Sequence, residues 1–398
     1  MSGLRDQDFA RILLVKPSAV GDVVHTVPIL AKLRARYPDA RIDWLLTPAI
    51  AELVGRHPAL TGVVPFDRRG LAGWWRSPRR AKALAGLLRS LRRANYDLVI
   101  DLHGQFRSAA FVLATGAPVR IGFDRPRARV RQSSRPLPAP AYRHGWTGAR
   151  ELSWLAYTHR IPVPTLDVHA VDRYRWLGPI LGLDEGPPDF RFPIPPAAAE
   201  RVDELLRAGG IDGRPVAVLF PGTQWETKHW PAARFAEVAR HLVASGLGVA
   251  LAGSPAEEAV CREVAAGCPA AVDLAGQTTL TESAALIARA AVCVTNDSGP
   301  MHLAAALGRP VVAVFGPTDP VWVGPYGSPE SVVRAGVPCS PCYLRRLSRC
   351  PFAHVCMTGV PAEAVMEKVD AALARSGYPP VGPADTLRRW PTVPQVSR

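Results

Sequence analysis

The sequence predicts an α/β protein with two Rossmann-like domains, and three observations lead to this class. Short apolar runs alternate with longer amphipathic stretches along most of the chain. Such alternation is typical of parallel βαβ units, in which helices cover both faces of a sheet. The pattern occurs once in each half of the chain, and 398 residues exceed what one hydrophobic core usually supports. Each half is therefore expected to fold around its own sheet.

The elements of the first half follow this pattern in order. The apolar strand "RILLVK" precedes the amphipathic stretch "VVHTVPILAKLRARYP", and the strand "RIDWLL" comes next. A second helical stretch, "AKALAGLLRSLRRANY", then leads into the strand "DLVIDLHG". Continuous apolar runs predict strands that are buried on both faces, whereas apolar residues at helical spacing predict the helices that cover them.

The second half repeats the same order of elements. Its predicted strands include "PVAVLFPG", "GVALAGS", "VCVTND" and "PVVAVFGPTD", separated by helical stretches such as "RFAEVARHLVASG" and "TESAALIARAA". Between the halves, residues 176–198 are rich in Gly and Pro, which predicts a linker. We therefore predict an N-terminal domain over residues 1–180, a C-terminal domain over 181–365, and a last helix and tail over 366–398.

Positive charge is concentrated in the first half. Residues 1–180 carry 29 Lys and Arg against 13 Asp and Glu, whereas residues 181–398 carry 19 against 21. A net charge of +16 against −2 suggests that the first domain meets an anionic partner. The chain has no run of 18 apolar residues, and its first residues lack the apolar core of a signal peptide. We therefore expect a cytoplasmic protein.

Residues 68–93 hold nine basic residues and no acidic ones, with Trp74 and Trp75 side by side. One interpretation places this amphipathic segment at the surface of an anionic membrane. The other is an ordinary helix that covers the sheet, with its leucines and both tryptophans in the core and its arginines in solvent. The sequence leaves both interpretations open.

Loops that follow strands are where ligands of open α/β sheets bind. The first, "KPSAVGDVVHTVP", has Gly21 as its only glycine and therefore lacks a dinucleotide-binding fingerprint. Asp22 lies at the start of the next helix, where a carboxylate either caps the helix or accepts a proton from a substrate hydroxyl. The loop alone favours the cap.

Two loops of the second half carry residues suited to a nucleotide. In "FPGTQWETKHWPAARF", the backbone at Gly222 and Thr223 can approach an oxyanion, and Lys228 adds a mobile positive charge. In "LAGSPAEEAVCREV", Glu257 starts a helix. There it either accepts ribose hydroxyls or stabilises the first turn.

The stretch "TNDSGPMHLAAALGRP" places several polar residues at a helix N-terminus. Asp297, Ser298 and Gly299 supply a cap, a hydroxyl and a flexible backbone where free N–H groups and the helix dipole favour a phosphate. His302, in the first turn, would donate to that phosphate or pack against the sheet. A capped, buried helix would need only Asp297.

Four cysteines form a cluster within residues 339–356. Cys339, Cys342, Cys350 and Cys356 have the spacing C-x2-C-x7-C-x5-C. In a cytoplasmic protein this spacing favours a structural Zn or Fe site over disulfides, with His354 as a substitute ligand. The alternative is four reduced thiols in a surface loop.

Four motifs resemble, in order and spacing, those of glycosyltransferase family 9, which contains the lipopolysaccharide heptosyltransferases. They are "KPSAVGDVVHTVP", "HAVDRYRWLGPILGL", "PGTQWETKHWP" and "TNDSGPMHLAAALGRPVVAVFGPTDP", and the similarity spans roughly residues 10–365. The resemblance implies a GT-B architecture, with two Rossmann-like domains facing each other across a cleft. It also implies that the N-terminal domain takes the acceptor and the C-terminal domain takes the nucleotide-sugar donor, usually ADP-heptose.

The resemblance also implies roles for individual residues. Asp22 would be the general base of an inverting transfer, and Lys228 would stabilise the departing diphosphate. Donor contacts are implied for Gly222, Thr223, Lys228, Glu257, Thr278, Asp297, Ser298, Gly299 and His302. Acceptor contacts are expected at Lys16, His103 and Arg120. The only D-x-D motif, Asp6 to Asp8, precedes the first strand, so no catalytic divalent metal is expected.

The predicted function is transfer of a heptose or related sugar from an ADP-sugar to a lipopolysaccharide-core acceptor. We expect this at the cytoplasmic face of the inner membrane, where the basic domain meets an anionic glycolipid rather than nucleic acid. A nucleotide-sugar epimerase on the same fold and a protein-modifying heptosyltransferase are alternatives. A non-enzymatic binder of anionic polymers is disfavoured by the order of the motifs.

Overall fold

The computed structural model describes residues 3–125, 138, 140–141 and 145–377. These residues form two compact units. The first holds the described residues of Met1–Pro193 with Asp319–Tyr326 and Pro341–Tyr343, and the second holds those of Ile194–Thr318, Gly327–Ser340 and Leu344–Arg398. Each unit contains one six-stranded sheet of parallel strands, so the predicted α/β class with two Rossmann-like domains is confirmed.

The first sheet has the strand order β3-β2-β1-β4-β5-β6. Its strands are β1 (Arg11–Val15), β2 (Arg41–Leu46), β3 (Gly62–Pro65), β4 (Leu98–Asp101), β5 (Val119–Phe123) and β6 (His159–Ile161). This is the order of the Rossmann fold, in which the winding direction reverses between the two central strands. The carboxyl ends of β1 and β4 therefore lie side by side at the switch point.

The helices of the first unit differ in how deeply they are buried. They are α1 (Val20–Arg36), α2 (Pro48–Val54), α3 (Pro78–Arg93), α4 (Phe106–Thr115), α5 (Ala170–Arg175) and α6 (Gly178–Leu181). Most residues of α1 are buried, whereas Leu91 is the only buried residue of α3. Of the two interpretations of the basic segment, the one that packs both tryptophans in the core is wrong on this point, since Trp74 is 46% and Trp75 is 68% exposed.

The second sheet has the order β12-β11-β10-β7-β8-β9, which is the same topology. Its strands are β7 (Val216–Phe220), β8 (Gly248–Leu251), β9 (Val272–Asp273), β10 (Ala290–Asn296), β11 (Val311–Val314) and β12 (Val332–Val333). The switch point lies between β7 and β10, which pair directly. Buried apolar residues from both sheet faces form the core of this unit, among them Phe235, Val249 and Val294.

Eight further α-helices follow in the described residues after Pro193. They are α7 (Pro196–Ala208), α8 (Ala232–Ala244), α9 (Glu258–Gly267), α10 (Leu280–Arg289), α11 (Gly299–Ala306), α12 (Pro320–Val323), α13 (Val355–Thr358) and α14 (Ala362–Arg375). The helix α12 belongs to the first unit. Among the helices described here, none is long and apolar enough to cross a membrane.

The boundary between the units lies after Pro193 rather than at the predicted residue 180. The buried ammonium of Lys32 in α1 explains the difference. It donates to the carbonyl and carboxylate of Asp184 and to the carbonyl of Gly186, at 2.8 to 3.0 Å, and so ties this stretch to the first unit. The predicted tail beyond residue 377 lies outside the described residues.

Candidate functional site

Three of the predicted residues lie at the switch point of the first sheet. Lys16 directly follows β1, Asp22 lies in the first turn of α1, and His103 follows β4. Because β1 and β4 are neighbours at the point where the winding reverses, their carboxyl ends border the crevice in which Rossmann folds bind ligands. The structure therefore brings these three side chains to one place.

Lys16 and Asp22 form an ion pair with 3.4 Å between Nζ and Oδ1. The Lys16 side chain is 8% exposed, the Asp22 side chain is 44% exposed, and the backbone N–H of Ala19 donates to Asp22 Oδ2 at 3.3 Å. Partial burial alone would raise the pKa of Asp22, but Lys16, His103 and the Ala19 N–H outweigh it and hold that pKa below its usual value. Asp22 is thus an ionised and accessible carboxylate that also caps its helix.

His103 is held by the end of β4. The buried Asp101 accepts hydrogen bonds from the backbone N–H groups of His103 at 2.8 Å and Gly104 at 3.1 Å, and from Tyr157 Oη at 2.8 Å. Burial and the nearby Lys16 lower the pKa of His103 to about 4. The imidazole is therefore neutral at neutral pH and can exchange hydrogen bonds with a sugar without adding charge.

The helix α5 contributes two residues that the sequence did not single out. The ring of Tyr174 lies 5.6 Å from Lys16 Nζ, and it joins Asp22 in raising the pKa of Lys16 despite burial. Arg173 is 3% exposed and lies over the rings of Trp146 and Trp322, at 4.4 and 5.4 Å. Both lie in the motif "HAVDRYR", but the motif by itself gave no hint of what they contact.

Arg120 is not part of this cluster. It is the second residue of β5 and therefore lies near the amino end of its strand, whereas Lys16 and His103 follow carboxyl ends. Its Nε donates to the Ala156 carbonyl at 2.8 Å and its Nη1 to the Ala117 carbonyl at 2.6 Å. These bonds give Arg120 a role in holding the loops around β5.

The predicted donor residues lie mostly at the switch point of the second sheet. Gly222 and Thr223 follow β7, and Asp297 follows β10. The side chain of Asn296, at the end of β10, forms hydrogen bonds to the loop that follows β7. It accepts from the Trp230 N–H at 3.1 Å and donates to the Pro221 carbonyl at 2.7 Å.

Asp297 and Lys228 form a buried ion pair with 2.6 Å between Nζ and Oδ2. The Asp297 side chain is 3% exposed and the Lys228 side chain is 13% exposed, and Thr318 Oγ1 donates to the same carboxylate oxygen. The interpretation of Asp297 as a helix cap is wrong, because Ser298 is the N-cap residue of α11 and the carboxylate is taken by Lys228. The sequence did not indicate Thr318, although its loop "FGPTDP" follows β11.

The N-terminus of α11 has no side-chain cap. The Ser298 hydroxyl is buried, and within the part of the chain that the structure describes it has no hydrogen-bond partner. Gly299 begins the helix, and the buried His302 lies in its first turn. Unpaired backbone N–H groups and the positive end of the helix dipole make this end of α11 suited to a phosphate.

Glu257 and Thr278 already have local partners. Glu257 Oε2 accepts from the backbone N–H and the hydroxyl of Ser254 at 2.7 and 2.8 Å, which closes the 3-10 turn Pro255–Glu257 directly before α9. A Cβ atom added at Gly222 would lie 2.5 Å from the Glu257 side chain, so glycine there permits Glu257 to lie against the loop after β7. Thr278 Oγ1 lies 2.9 Å from the hydroxyl of Ser283.

The cysteine-rich segment packs on the turn that carries Lys228. The Leu344 carbonyl accepts from Thr227 Oγ1 at 2.5 Å, and the Leu347 N–H donates to Glu226 Oε2 at 3.0 Å. His354 Nε2 lies 2.7 Å from the Thr227 carbonyl. The segment 339–356 therefore supports the loop that carries the predicted phosphate-binding lysine.

The structure does not support the predicted Zn or Fe site at the four cysteines. Across the described ranges, which include all four, no group of three or more His, Cys, Asp or Glu side chains is placed to hold a metal ion. Cys356 is buried in the core of the second unit, whereas the other three cysteines are partly exposed. His354, the predicted substitute ligand, contacts the Thr227 carbonyl instead.

Comparison with known proteins matches both units. The family described as glycosyltransferase family 9 (heptosyltransferase) matches residues 84–144 and 137–350. A lipopolysaccharide heptosyltransferase 1 of Pseudomonas aeruginosa is 34% identical over 335 residues, which cover 83% of this chain and 86% of the relative. A lipopolysaccharide heptosyltransferase 1 of Escherichia coli K12 is 32% identical over 329 residues, covering 82% and 93%.

Solved structures show the same likeness. An E. coli heptosyltransferase with ADP superposes with a TM-score of 0.68 at 28% identity, covering 91% of this chain and 99% of that one. A glycosyltransferase family 9 protein from Veillonella parvula gives a TM-score of 0.72 at 22% identity, covering 93% and 98%, and at that identity it bears on the fold alone.

Proposed function

Since the chain belongs to glycosyltransferase family 9, we propose that it transfers a heptose from ADP-heptose to a lipopolysaccharide-core acceptor. It is a glycosyltransferase of GT-B architecture, and its curated relatives are lipopolysaccharide heptosyltransferases. Solved relatives carry ADP and ADP-2-deoxy-2-fluoro heptose. The first unit takes the acceptor and the second unit takes the donor.

The observation that supports this best is the chemical contrast between the two switch points. In the first unit, the ionised and accessible carboxylate of Asp22 lies near the neutral imidazole of His103. In the second, a lysine ammonium lies at a buried carboxylate in the loop that leads into the uncapped helix α11. A sugar transfer from a diphosphate needs both a proton acceptor and a site for the departing anion.

The second unit stabilises the leaving diphosphate. The Lys228 ammonium has three N–H donors, so its bond to Asp297 leaves others for phosphate oxygens. The Ser298 hydroxyl, the backbone N–H at Gly299 and the His302 side chain add donors at the positive end of α11. Gly222 and Thr223 border the diphosphate from the loop after β7, Glu257 faces the ribose, and Thr278 contacts the base through its backbone.

Asp22 takes the proton of the attacking acceptor hydroxyl. Its low pKa keeps it ionised, but it also makes the carboxylate a weak base. A weak base suffices when the new C–O bond forms before the proton leaves, because bond formation makes the hydroxyl strongly acidic. Attack of the hydroxyl on the anomeric carbon as the diphosphate departs inverts the configuration at that carbon. Lys16 and His103 orient the acceptor around this hydroxyl.

The proposed acceptor is an anionic glycolipid, which places the enzyme at the cytoplasmic face of the inner membrane. The surplus of basic residues in the first half of the chain supports this assignment. Arg120 is not one of the proposed acceptor contacts, because its Nε and Nη1 donate hydrogen bonds to carbonyls at the amino edge of the sheet, opposite the edge that carries Lys16 and His103.

The experiment that tests the proposal is a transfer assay with purified protein, ADP-heptose and a lipopolysaccharide-core acceptor that lacks the heptose. We expect mass spectrometry to show one heptose added to the acceptor and stoichiometric release of ADP. A nucleotide-sugar epimerase would instead convert the donor without any acceptor. Conversion of ADP-heptose alone, with no product when the acceptor is supplied, would contradict the proposal.

We further propose that the transfer needs no divalent metal. Asp6 and Asp8 precede β1 and so lie at the amino edge of the first sheet, and Asp8 pairs with Arg36 at 3.1 Å. Lys228 and α11 supply the positive charge that a metal would otherwise bring to the diphosphate. Activity is expected to be unchanged by EDTA, and a loss that Mg²⁺ restores would overturn this part of the proposal.

A further inference from the structure

The helix α3 of the first unit is exposed along most of its length. It is 16 residues long, yet Leu91 is its only buried residue, and its main contacts are with α4 and with the 3-10 turn Trp74–Arg76. A helix that covers a sheet normally buries a continuous stripe of apolar residues. A large part of the surface of α3 is therefore open to a partner.

One face of α3 is basic and lines a cavity. Lys82, Gly86, Arg89, Ser90 and Arg93 recur at helical spacing and so share this face. Together with Arg11, Arg41 and Ala94 they line a cavity of about 540 Å³. Five of the eight lining residues are cationic and none is acidic, so the cavity is suited to an anion.

Most of this positive charge is not neutralised by ion pairs. Arg41 pairs with Asp43 at 2.8 Å, whereas for Arg11, Lys82, Arg89 and Arg93 the described part of the chain shows no ion pair. The nearby Asp97 carboxylate accepts the backbone N–H groups of Ala10 and Arg11 instead. Uncompensated cations around a concave surface concentrate the electric field there and attract anions.

The cavity is separate from the proposed active site. Arg11 and Arg41 begin β1 and β2, so the cavity lies at the amino edge of the sheet, whereas Lys16 and Asp22 follow the carboxyl end of β1. Five residues of strand place roughly 15 Å between the two edges. The cavity therefore does not hold the reacting groups.

Exposed aromatic and aliphatic side chains surround the same helix. Trp74 and Trp75, 46% and 68% exposed, immediately precede α3. On α4, which packs against α3, Phe106 is 68% and Leu113 is 57% exposed. Tryptophan beside a basic helix is typical of segments that lie at the boundary between lipid headgroups and acyl chains.

We propose that α3 docks the first unit onto an anionic phospholipid membrane, with lipid phosphates in the basic cavity and the tryptophan pair at headgroup level. Membrane docking rests on the proposed function, because a glycolipid acceptor lies in a membrane. The exposed tryptophans and the basic cavity are nevertheless observed independently of the reaction. The charge of the cavity and the exposed tryptophans favour a lipid surface over a second copy of this chain.

The test is binding of the full chain to vesicles of phosphatidylcholine, with and without phosphatidylglycerol. The variant K82Q/R89Q/R93Q removes three charges from the cavity, and R201Q/R207Q/R262Q removes three exposed charges from the second unit as a matched control. We expect wild type and control to bind only the anionic vesicles, more weakly at high salt. The cavity variant should lose about 100-fold in affinity, since each basic residue contributes about five-fold near an anionic surface. The variant W75A should bind several-fold more weakly.

Three outcomes would overturn the inference. Equal binding of the cavity and control variants would mean that the cavity does not hold lipid. Binding of inorganic pyrophosphate without binding of vesicles would identify a site for free anions. Self-association of wild type that the cavity variant lacks, measured by light scattering, would assign the face to a second copy. Vesicle binding that persists when no heptose transfer is detected would contradict the proposed function alone.

Discussion

Lys16 and Asp22 each shift the pKa of the other towards its charged form. Burial lowers the pKa of Lys16 and raises that of Asp22, but their mutual attraction over 3.4 Å, with smaller contributions from neighbouring groups, outweighs burial in both cases. The sign of the shift decides how the proposed base depends on pH. Because the pKa of Asp22 is held below its usual value of about 4, the carboxylate protonates only below that pH.

The substitution Lys16→Met tests this electrostatic support. Burial raises the pKa of Asp22, and the Lys16 ammonium is the largest influence that lowers it. Removing the ammonium should therefore raise this pKa. The acid limb of kcat/KM, which lies below pH of about 4 in the wild type, should then move to higher pH. A profile measured over acidic and neutral pH on a soluble acceptor checks this.

The matched control is Lys16→Arg, which keeps the positive charge and should leave the acid limb near its wild-type position. Lys16 also lowers the pKa of His103, to about 4 in the wild type, so His103 should likewise titrate at higher pH in Lys16→Met and add to the same shift. If Lys16→Met leaves the acid limb where it is, Lys16 does not set the protonation of the base.

Lys228 pairs with the buried Asp297 and is also proposed to bind the donor, and double substitution can separate these two roles. Lys228→Met leaves the buried carboxylate of Asp297 without its ammonium partner, while the hydrogen bond from the Thr318 hydroxyl remains. Breaking a buried pair on one side costs about 3 kcal/mol of unfolding free energy. In Lys228→Met/Asp297→Asn no charge is left buried, so stability should largely recover while ADP binding stays at least about ten-fold weakened.

Urea unfolding and ADP titration of the three proteins give both quantities. Recovery of ADP affinity in the double variant would show that Lys228 stabilises the fold and does not bind the diphosphate.

The sequence could indicate Lys228 and Asp297 separately, as a cation and a carboxylate in loops that follow strands. It could not indicate their pairing, because that depends on β7 and β10 being neighbours.

At the scale of elements, the sequence predicted strands better than it predicted helix burial. Strands such as β1 and β10 are continuous apolar runs, which are typical of a parallel sheet that is buried on both faces. Once these strands are recognised, the loops that follow them, which carry Asp22 and Asp297, are identified as well. The exposure of α3 could not be predicted, because its leucines have helical spacing whether or not the sheet lies beneath them. The metal site was predicted from cysteine spacing alone, whereas ligation also requires the chain to bring the thiols together, and the described part of the chain does not group them in this way.

The cysteine-rich segment acts on the site through its contacts with the turn Glu226–Lys228. His354→Ala removes the bond to the Thr227 carbonyl, which is worth about 1 kcal/mol. We expect the dissociation constant of ADP to rise about five-fold while kcat changes little. Isothermal titration and steady-state kinetics measure the two effects.

His241→Ala provides the control for this prediction. It also removes a histidine bond within the second unit, to Asp370 at 2.9 Å, but between α8 and α14. It should lower stability without changing ADP affinity. Equal effects of the two substitutions on ADP binding would show that the cysteine-rich segment has no specific role in positioning Lys228.

At the scale of the whole molecule, the same strand order appears in both units with different residues at the switch points. The fold supplies the position of a site, and the loops after β1, β4, β7 and β10 supply its chemistry. The second unit carries the predicted nucleotide-binding residues, so nucleotides should stabilise the chain against heat even without an acceptor.

A thermal-shift comparison of nucleotide-sugars tests donor selectivity. A ligand that binds only the folded chain stabilises it by about 3 kcal/mol at a hundred-fold excess over its Kd. ADP and ADP-heptose should therefore raise the Tm clearly, and UDP-, GDP- and CMP-sugars should raise it less. A larger shift with UDP-sugars would contradict ADP-heptose as donor while leaving the family assignment intact.

The assignment of Asp22 as the base is tested most directly by Asp22→Asn, with transfer and donor binding measured on the same preparation. The amide keeps the shape of the side chain but cannot take a proton, so heptose transfer should fall by about 1,000-fold. The affinity for ADP-heptose, which the second unit is proposed to determine, should stay within about two-fold of wild type. Transfer within about ten-fold of wild type would contradict the role of Asp22.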